Sequence, residues 1–326
     1  MHAEGFQGEQ VSLQNVPGPV GKAGGDFALR LQQHLAAMWP FASTKNRFNG
    51  CNPCSIERRD IARLRQYRYY VTEKSDGLRF LLYVTRFAGS DLCVLMNRRM
   101  DLFITATDLA PDMHSGAILD GELTVHVPSS ESVFLVFDAV TLPSDVGLHG
   151  KPFHKRHHAV TSTVGGPLPQ PRNQPCLRVL VKHFFDLRRS WPEFRAHHLQ
   201  ASRIFDLDGV ILVPDVSGVR TGRHNSMYKW KPADRHTVDF QVVMRPTGPT
   251  LSVFSKTQQR LVDVCACPPG SLALEPDMIV ECSYSDRTWH PLLVRWDKGT
   301  PNDSHTLQCT LLNIQEDIQL DELAGV

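Results

Sequence analysis

Residues 73–79 read Glu73-Lys74-Ser75-Asp76-Gly77-Leu78-Arg79. A β-rich run, RYYVTEK (68–74), enters this segment and another, LRFLLYVTR (78–86), leaves it, so Ser75-Asp76-Gly77 is turn material between two strands. A protonated lysine is no nucleophile. A lysine at a strand end, partly desolvated and near other cations, can lose its proton and attack. Asp76 and Gly77 supply the turn, and Arg79 supplies a fixed cationic fork.

Outward from this segment the β style continues. LCVLMNRR (92–99), ILDGELTV (118–125), SVFLVFDAV (132–140), DGVILVP (208–214) and MYKWKP (227–232) are strand-like runs. Their spacing leaves little room for helical crossovers, which predicts a mainly antiparallel arrangement. Asp26 precedes Phe27, Leu31, Leu35 and Met38, an i, i+4 ladder that predicts a helix over 27–38 with Asp26 as its cap. Ser190-Trp191-Pro192-Glu193 has the capping-box form and predicts a helix to about Ile204. Residues 1–25 read as a flexible arm, 43–55 as a connector and 161–175 as a mobile Gly/Pro-rich surface loop. After Pro232 the runs shorten to VDFQVVM, LSVFSK, MIVECSYS and PLLVRWD, spaced as in a small barrel. The expected division is 1–231 and 232–326, and the expected class is α+β.

Composition narrows the function. The chain has 326 residues, 41% hydrophobic and 21% charged, which excludes disorder, collagen and coiled coil. Lys and Arg number 35 against 34 Asp and Glu, a net charge of +1, so any nucleic-acid contact is local, weak and salt-sensitive. The apolar runs are far below the ~20 residues that span a bilayer, so no membrane role is expected. The start of the chain lacks the basic and apolar parts of a secretory signal. Eight cysteines are too sparse for a disulfide scaffold. The close pairs Cys51/Cys54 and Cys265/Cys267 lack the matched spacing of a zinc site, so reduced thiols are expected. His157-His158 and His197-His198 read as solvated surface pairs.

Further motifs join the lysine segment. Asp120-Gly121-Glu122 reads as a second turn with a carboxylate behind it. Asp138 ends the apolar run Phe134-Leu135-Val136-Phe137, and Asp208 precedes another apolar strand. Lys229 and Lys231 flank Trp230, and on a strand they share one face, where an anion between them would relieve their repulsion. Arg295 and Asp297 would likewise share a face, with Lys298 next to them. Carboxylates that hold Mg²⁺ or Mn²⁺, with lysines and arginines that hold phosphate oxygens, suit a nucleoside triphosphate. Neither G-x-x-x-x-G-K-[ST] nor G-x-G-x-x-G occurs, so no Gly-rich loop cradles the phosphates.

In order and spacing, K-x-D-G-x-R, D-G-E, F-D, D-G-V-I, K-W-K-P and R-x-D-K-x-x-P-N resemble the covalent nucleotidyltransferases, over Lys74 to Asn302. That superfamily holds the mRNA capping enzymes and the polynucleotide ligases. The last two motifs look like the guanylyltransferase branch, and Pro53-Cys54-Ser55-Ile56 is similar to the P-V-S-h run of capping enzymes, with Cys54 in place of Val. The resemblance implies a nucleotidyltransferase domain of mixed, mainly antiparallel sheets with flanking helices, and a C-terminal OB-fold barrel. It implies that Lys74 attacks the α-phosphate of GTP and leaves a lysyl-N-GMP adduct, and that GMP then passes to the 5′-diphosphate end of RNA. Arg79 and Glu122 would bind the ribose and Phe137, or else Phe134, would stack on guanine. Asp208 would serve the Mg²⁺ or Mn²⁺, and Lys229 and Lys231 would hold the α-phosphate region. Arg295, Asp297 and Lys298 would meet the β- and γ-phosphates as the barrel closes. The 73 residues ahead of Lys74 carry no H-C-x-x-G-x-x-R loop, so the RNA triphosphatase is expected on a separate polypeptide. A cap methyltransferase and the RNA polymerase II tail are further expected partners, and the nucleus is the expected location. The competing readings are an ATP-dependent RNA or DNA ligase, against which K-W-K-P and R-x-D-K-x-x-P-N argue, and an inactive RNA- or polymerase-binding relative.

Overall fold

The computed structural model of the chain describes residues 13, 16–39, 48–164, 175–216, 218–270, 272–296 and 298–324. The chain divides into two compact units, one of residues 1–54 and 66–229, the other of residues 55–65 and 230–326. Seventeen strands and five α-helices carry the described part. The strands are β1 (Val20–Lys22), β2 (Cys51–Ser55), β3 (Tyr69–Ser75), β4 (Leu78–Phe87), β5 (Ser90–Met96), β6 (Leu102–Thr105), β7 (Ala117–His126), β8 (Glu131–Thr141), β9 (Arg178–Val181), β10 (Phe185–Asp186), β11 (Leu207–Pro214), β12 (Gly222–Trp230), β13 (Thr237–Arg245), β14 (Gly248–Ser255), β15 (Arg260–Ala266), β16 (Ile279–Ser285) and β17 (Thr288–Val294). The α-helices are α1 (Gly25–Met38), α2 (Ile61–Gln66), α3 (Phe153–Val164), α4 (Trp191–Ala201) and α5 (Ser304–Glu316).

Two sheets build the first unit. One runs β1-β6-β5-β4-β7-β8-β9 and the other β10-β3-β11-β12-β2. The turn at Asp76-Gly77 therefore joins strands of different sheets: β3 and β4 never pair, and the chain crosses from one layer to the other between Lys74 and Arg79. Gly77 is needed there because a Cβ at that position would lie 2.3 Å from the Leu123 carbonyl oxygen. The seven-stranded sheet is antiparallel except β8 with β9, where Val133 to Val136 run parallel to Arg178 to Val181, and β3 runs antiparallel to both β10 and β11.

Alternation along the strands loads both faces of the seven-stranded sheet. Phe80, Leu82, Leu119, Phe134 and Val136 form one core with Val160 of α3. Leu81, Tyr83, Val94 and Ile118 form another with Leu31 and Leu35 of α1. Each such fully buried side chain contributes about 2 kcal/mol. Helix α1 begins at Gly25, so Asp26 lies in its first turn rather than at the cap. There its charge meets the positive end of the helix dipole. Ser190 is the N-cap of α4, but its side chain makes no cap hydrogen bond, so the expected capping box is not formed.

Several expectations for loops are corrected. The segment before α1 contains β1, which pairs Val20 with Thr105, while residues 1–12 lie outside the described residues. The connector at 43–55 ends in β2, an edge strand, the place in a sheet where a proline such as Pro53 is tolerated. Residues 161–164 are the last turn of α3, and 165–174 lie outside the described residues.

In the second unit the antiparallel sheet runs β15-β14-β13-β16-β17. In order of sequence that is 3-2-1-4-5, the strand neighbours of a partly open OB fold. Its core is Val238, Phe240, Leu251, Val253, Val280 and Trp289, with Leu307 of α5. Asp303 caps α5 through a bond from the Thr306 amide at 2.7 Å.

Candidate active site

Lys74 is the penultimate residue of β3, and its neighbour β11 skips one residue at that point. Leu207 is opposite Ser75 and Gly209 opposite Lys74, which leaves Asp208 bulged out of the ladder. Gly209 has φ of 135°, a conformation open to glycine and strained for other residues. The bulge turns Asp208 toward the amine, and Lys74 Nζ donates to Asp208 Oδ2 at 2.7 Å. Both side chains keep partial access, 24% and 17% exposed.

On the other sheet, β4 sets Arg79 opposite Glu122 of β7. Asp120-Gly121 is no turn. It lies inside β7, where the ladder to β8 shifts register between the two residues. A Cβ on Gly121 would lie 2.6 Å from the Phe134 ring and 2.7 Å from the Leu135 carbonyl oxygen. Asp120, two residues before Glu122 on β7, accepts from Arg79, whose Nε and Nη2 donate to its two carboxylate oxygens at 2.9 and 2.6 Å. The same guanidinium donates to the Cys51 carbonyl and lies 5.5 Å from the Phe48 ring and 5.1 Å from the Phe137 ring. Arg79 is thus a fixed, buried fork committed to Asp120.

The two candidate stacking rings differ sharply. Phe134 is fully buried in the core, whereas Phe137 is half-buried and faces Arg79. Phe137 is the ring available to a ligand. Asp138, at the end of that motif, binds Arg156 of α3 through a two-pronged pair at 2.8 and 2.7 Å and so anchors the helix to β8.

Sequence reasoning missed Lys182. It follows β9 and is buried, its Nζ donates to the Glu73 carbonyl at 2.8 Å, and it lies 3.7 Å from the Glu73 carboxylate. The signal was present, since Lys182 closes an apolar run, RVLVK, as Lys74 closes its own. Burial pushes Glu73 up, but Lys182 and His197 outweigh it and hold the carboxyl at about 2. Burial lowers Lys182, with Glu73 and Glu122 opposing. Burial also raises Glu122, tempered by Lys182 and Lys74. Arg98 is a further, exposed cation whose charge interacts with Arg79, Glu122 and Asp120. Ser75 Oγ is buried and has no hydrogen-bond partner among the described residues. Two histidines expected at the surface are structural here: His197 Nε2 lies 3.3 Å from Glu73 Oε2, and His157 Nε2 is 2.9 Å from the Lys182 carbonyl oxygen.

The structure therefore brings together Lys74, Asp208, Arg79, Glu122 and Phe137 in the first unit. Lys229 lies on β12 of the same unit, and Lys231 belongs to the second. Within the second unit, Arg295 Nη1 donates to Glu281 at 2.9 Å and to Asp239 at 3.3 Å, and Lys298 also pairs with Asp239. Asn302 pins the segment, its side chain accepting from the Asp239 amide at 2.9 Å and its amide donating to the Asp239 carbonyl at 2.8 Å. Asp239 was not singled out from sequence. Asp297 lies outside the described residues.

All eight cysteines are free thiols. Among the described residues no group of three His, Cys, Asp or Glu side chains could hold a metal ion. Mg²⁺ is commonly held by one or two carboxylates plus substrate phosphates, so the single carboxylate of Asp208 fits an ion bridged by substrate rather than caged by protein. Among the described residues no helix is long and apolar enough to cross a membrane.

The chain is similar to known proteins over most of its length. The family model for the mRNA capping enzyme catalytic domain matches residues 14–233, and that for the mRNA capping enzyme C-terminal domain matches residues 272–324. The mRNA-capping enzyme subunit alpha of Neurospora crassa is 29% identical, over 94% of this chain and 92% of its own length. The protein of the same name from Schizosaccharomyces pombe is 22% identical, over 97% and 87%. Among solved structures, a mycobacterial DNA ligase D complexed with ATP and MES matches with a TM-score of 0.44 and 14% identity, over 78% of this chain and 97% of that one.

Proposed function

We propose that this chain, which belongs to the mRNA capping enzyme family and is a nucleotidyltransferase enzyme, is the GTP:RNA guanylyltransferase of capping. The observation that carries the proposal is the position of Lys74: an amine at a strand end, 2.7 Å from Asp208 and close enough to Lys182 and Glu122 to affect both. A neutral Lys74 Nζ attacks the α-phosphorus of GTP. The P–N bond forms as the bond to the bridging oxygen of the β-phosphate breaks, pyrophosphate leaves and the amine gives up its proton. A β-phosphate oxygen of RNA ending in 5′-diphosphate then attacks the same phosphorus. The P–N bond breaks, Lys74 regains a proton and GpppN is released. Splitting one transfer into two displacements is what a covalent nucleophile achieves.

The other residues serve this chemistry. Phe137 stacks on guanine and Glu122 faces the ribose, while Arg79 stiffens that wall through Asp120. Asp208 would hold Mg²⁺ or Mn²⁺, which neutralises phosphate charge. Lys229 and Lys231 are assigned to the α-phosphate region. Arg295 and Lys298, with Asp297, are assigned to the departing pyrophosphate, where aimed cations stabilise developing charge. The relatives' name, subunit alpha, supports a companion polypeptide that supplies the RNA triphosphatase. Nuclear action beside the polymerase tail and a cap methyltransferase fits this role.

The test is incubation with each α-labelled nucleoside triphosphate and Mg²⁺ or Mn²⁺, followed by denaturing electrophoresis and peptide mapping. GTP should label the peptide spanning Lys74, and Lys74→Ala should abolish the label. Labelling by ATP alone would make the chain a ligase, and GTP binding without a covalent label would make it an inactive relative.

A further inference from the structure

The first unit contains a cavity of about 610 Å³ behind β9, walled by the last turn of α3 and by α4. That is the size of an ordinary small-molecule site. Leu109, Val164, Leu180, Ile204 and Phe205 give it an apolar lining. Its polar groups divide by charge. The two acids on its wall are already engaged: Asp108 Oδ1 accepts from the Val179 amide at 2.9 Å, and Glu73 is held by Thr72, Lys182 and His197. Of the basic groups on the wall, Lys182 and His197 are committed to Glu73, whereas Arg178 and His183 are not. Among the described residues neither Arg178 nor His183 has a carboxylate partner, although His183 packs against the His197 ring. Gln200, Thr161 and Thr163 add hydrogen-bonding side chains to the same wall.

We propose that this cavity is a second ligand site, distinct from the nucleotide site, and that it takes an amphipathic organic anion. The apolar body lies against Leu180 and Phe205, and the acidic group meets Arg178 and His183. Occupancy also reaches the reacting strand. Glu73 and Lys182 line the cavity, Lys182 binds the Glu73 carbonyl, and Glu73 precedes Lys74. A ligand there changes the setting of the attacking amine, a consequence that rests on the guanylyltransferase reading.

The experiment titrates the full chain at neutral pH with the anionic probe 8-anilinonaphthalene-1-sulfonate and with its uncharged analogue N-phenyl-1-naphthylamine, following fluorescence. Both should bind at one saturable site. Arg178→Glu should weaken the anion about tenfold or more and the uncharged probe less than about twofold, because only the former loses a charge partner. Thr161→Trp, an exposed position on the wall, should fill the cavity and abolish binding of both while circular dichroism stays unchanged. Exposed Ala110→Trp narrows the same cavity and serves if the first variant does not fold. Equal affinity of the anion for wild type and Arg178→Glu, or undiminished binding in the filled variants, would overturn the site. Saturating anion should slow GMP labelling several-fold in wild type and leave Thr161→Trp unaffected; equal wild-type rates with and without probe overturn the coupling. A chain that takes no label even without probe refutes the guanylyltransferase reading, and the titrations then decide the cavity by themselves.

Discussion

Lys74 Nζ and Asp208 Oδ2 lie 2.7 Å apart at the point where the β3–β11 ladder skips a residue. The amine proposed to attack and the carboxylate proposed to serve the metal are therefore neighbours by backbone geometry. Asp208→Asn keeps the shape and removes the charge. It should slow single-turnover GMP labelling by about 100-fold or more while urea unfolding changes little. Labelling at the wild-type rate would make the pair structural only.

The two phenylalanines of β8 should separate cleanly. Phe134 fills the core, so Phe134→Ala should cost about 3–5 kcal/mol of stability. Phe137 is half-buried against Arg79, so Phe137→Ala should raise the GTP concentration for half-maximal labelling about tenfold, the scale of one base stack. Thermal unfolding and labelling titrations on both variants check the assignment, and the opposite pattern would exchange their roles.

Glu73 gives the protein a pH dependence. Its carboxyl is lowered from 4.5 to about 2. The unfolded chain binds the extra proton between those limits, so the stabilisation is complete above about pH 4.5 and is lost as pH falls toward 2. A fall of that size corresponds to about 3 kcal/mol. Glu73→Gln should be less stable than wild type by about that amount at pH 7, and the gap should narrow steadily from pH 5 to pH 3 in urea titrations. A constant gap would show that the carboxylate charge is not what matters.

Gly77 and Gly121 should tolerate no side chain. Their Cβ atoms would meet backbone oxygens at 2.3 and 2.7 Å. Gly121→Ala, in a central strand, should destabilise by about 1–3 kcal/mol or more. Gly77→Ala displaces the crossing between the sheets and should lower GMP labelling more than it lowers stability. Unchanged labelling by Gly77→Ala would show that the crossing can shift freely.

Much of this was legible in the sequence because motif residues at strand ends carry their own periodicity. Lys74, Glu122 and Asp208 could be singled out because each interrupts an apolar run. What could not be seen was pairing. Nothing local says that β3 and β4 enter different sheets, or that Asp120-Gly121 is a register shift rather than a turn. Helix α3 was missed because its His- and Thr-rich segment has weak helical preference. Tertiary ties, Arg156 to Asp138 and Val160 into the core, accompany its helical form. Lys182 and Asp239 are isolated charges in sequence, and only the fold shows them clamping groups singled out earlier.

The skipped residue in β11 makes chain length, and not only residue identity, part of the proposed catalytic arrangement. Deleting a single position from the bulge would leave a lysine and an aspartate in the sequence, and any pattern search would still find them. The straightened ladder would turn the carboxylate to the opposite side of the sheet. Relatives that have gained or lost one residue at this spot should therefore be suspected of inactivity even when every motif letter is intact.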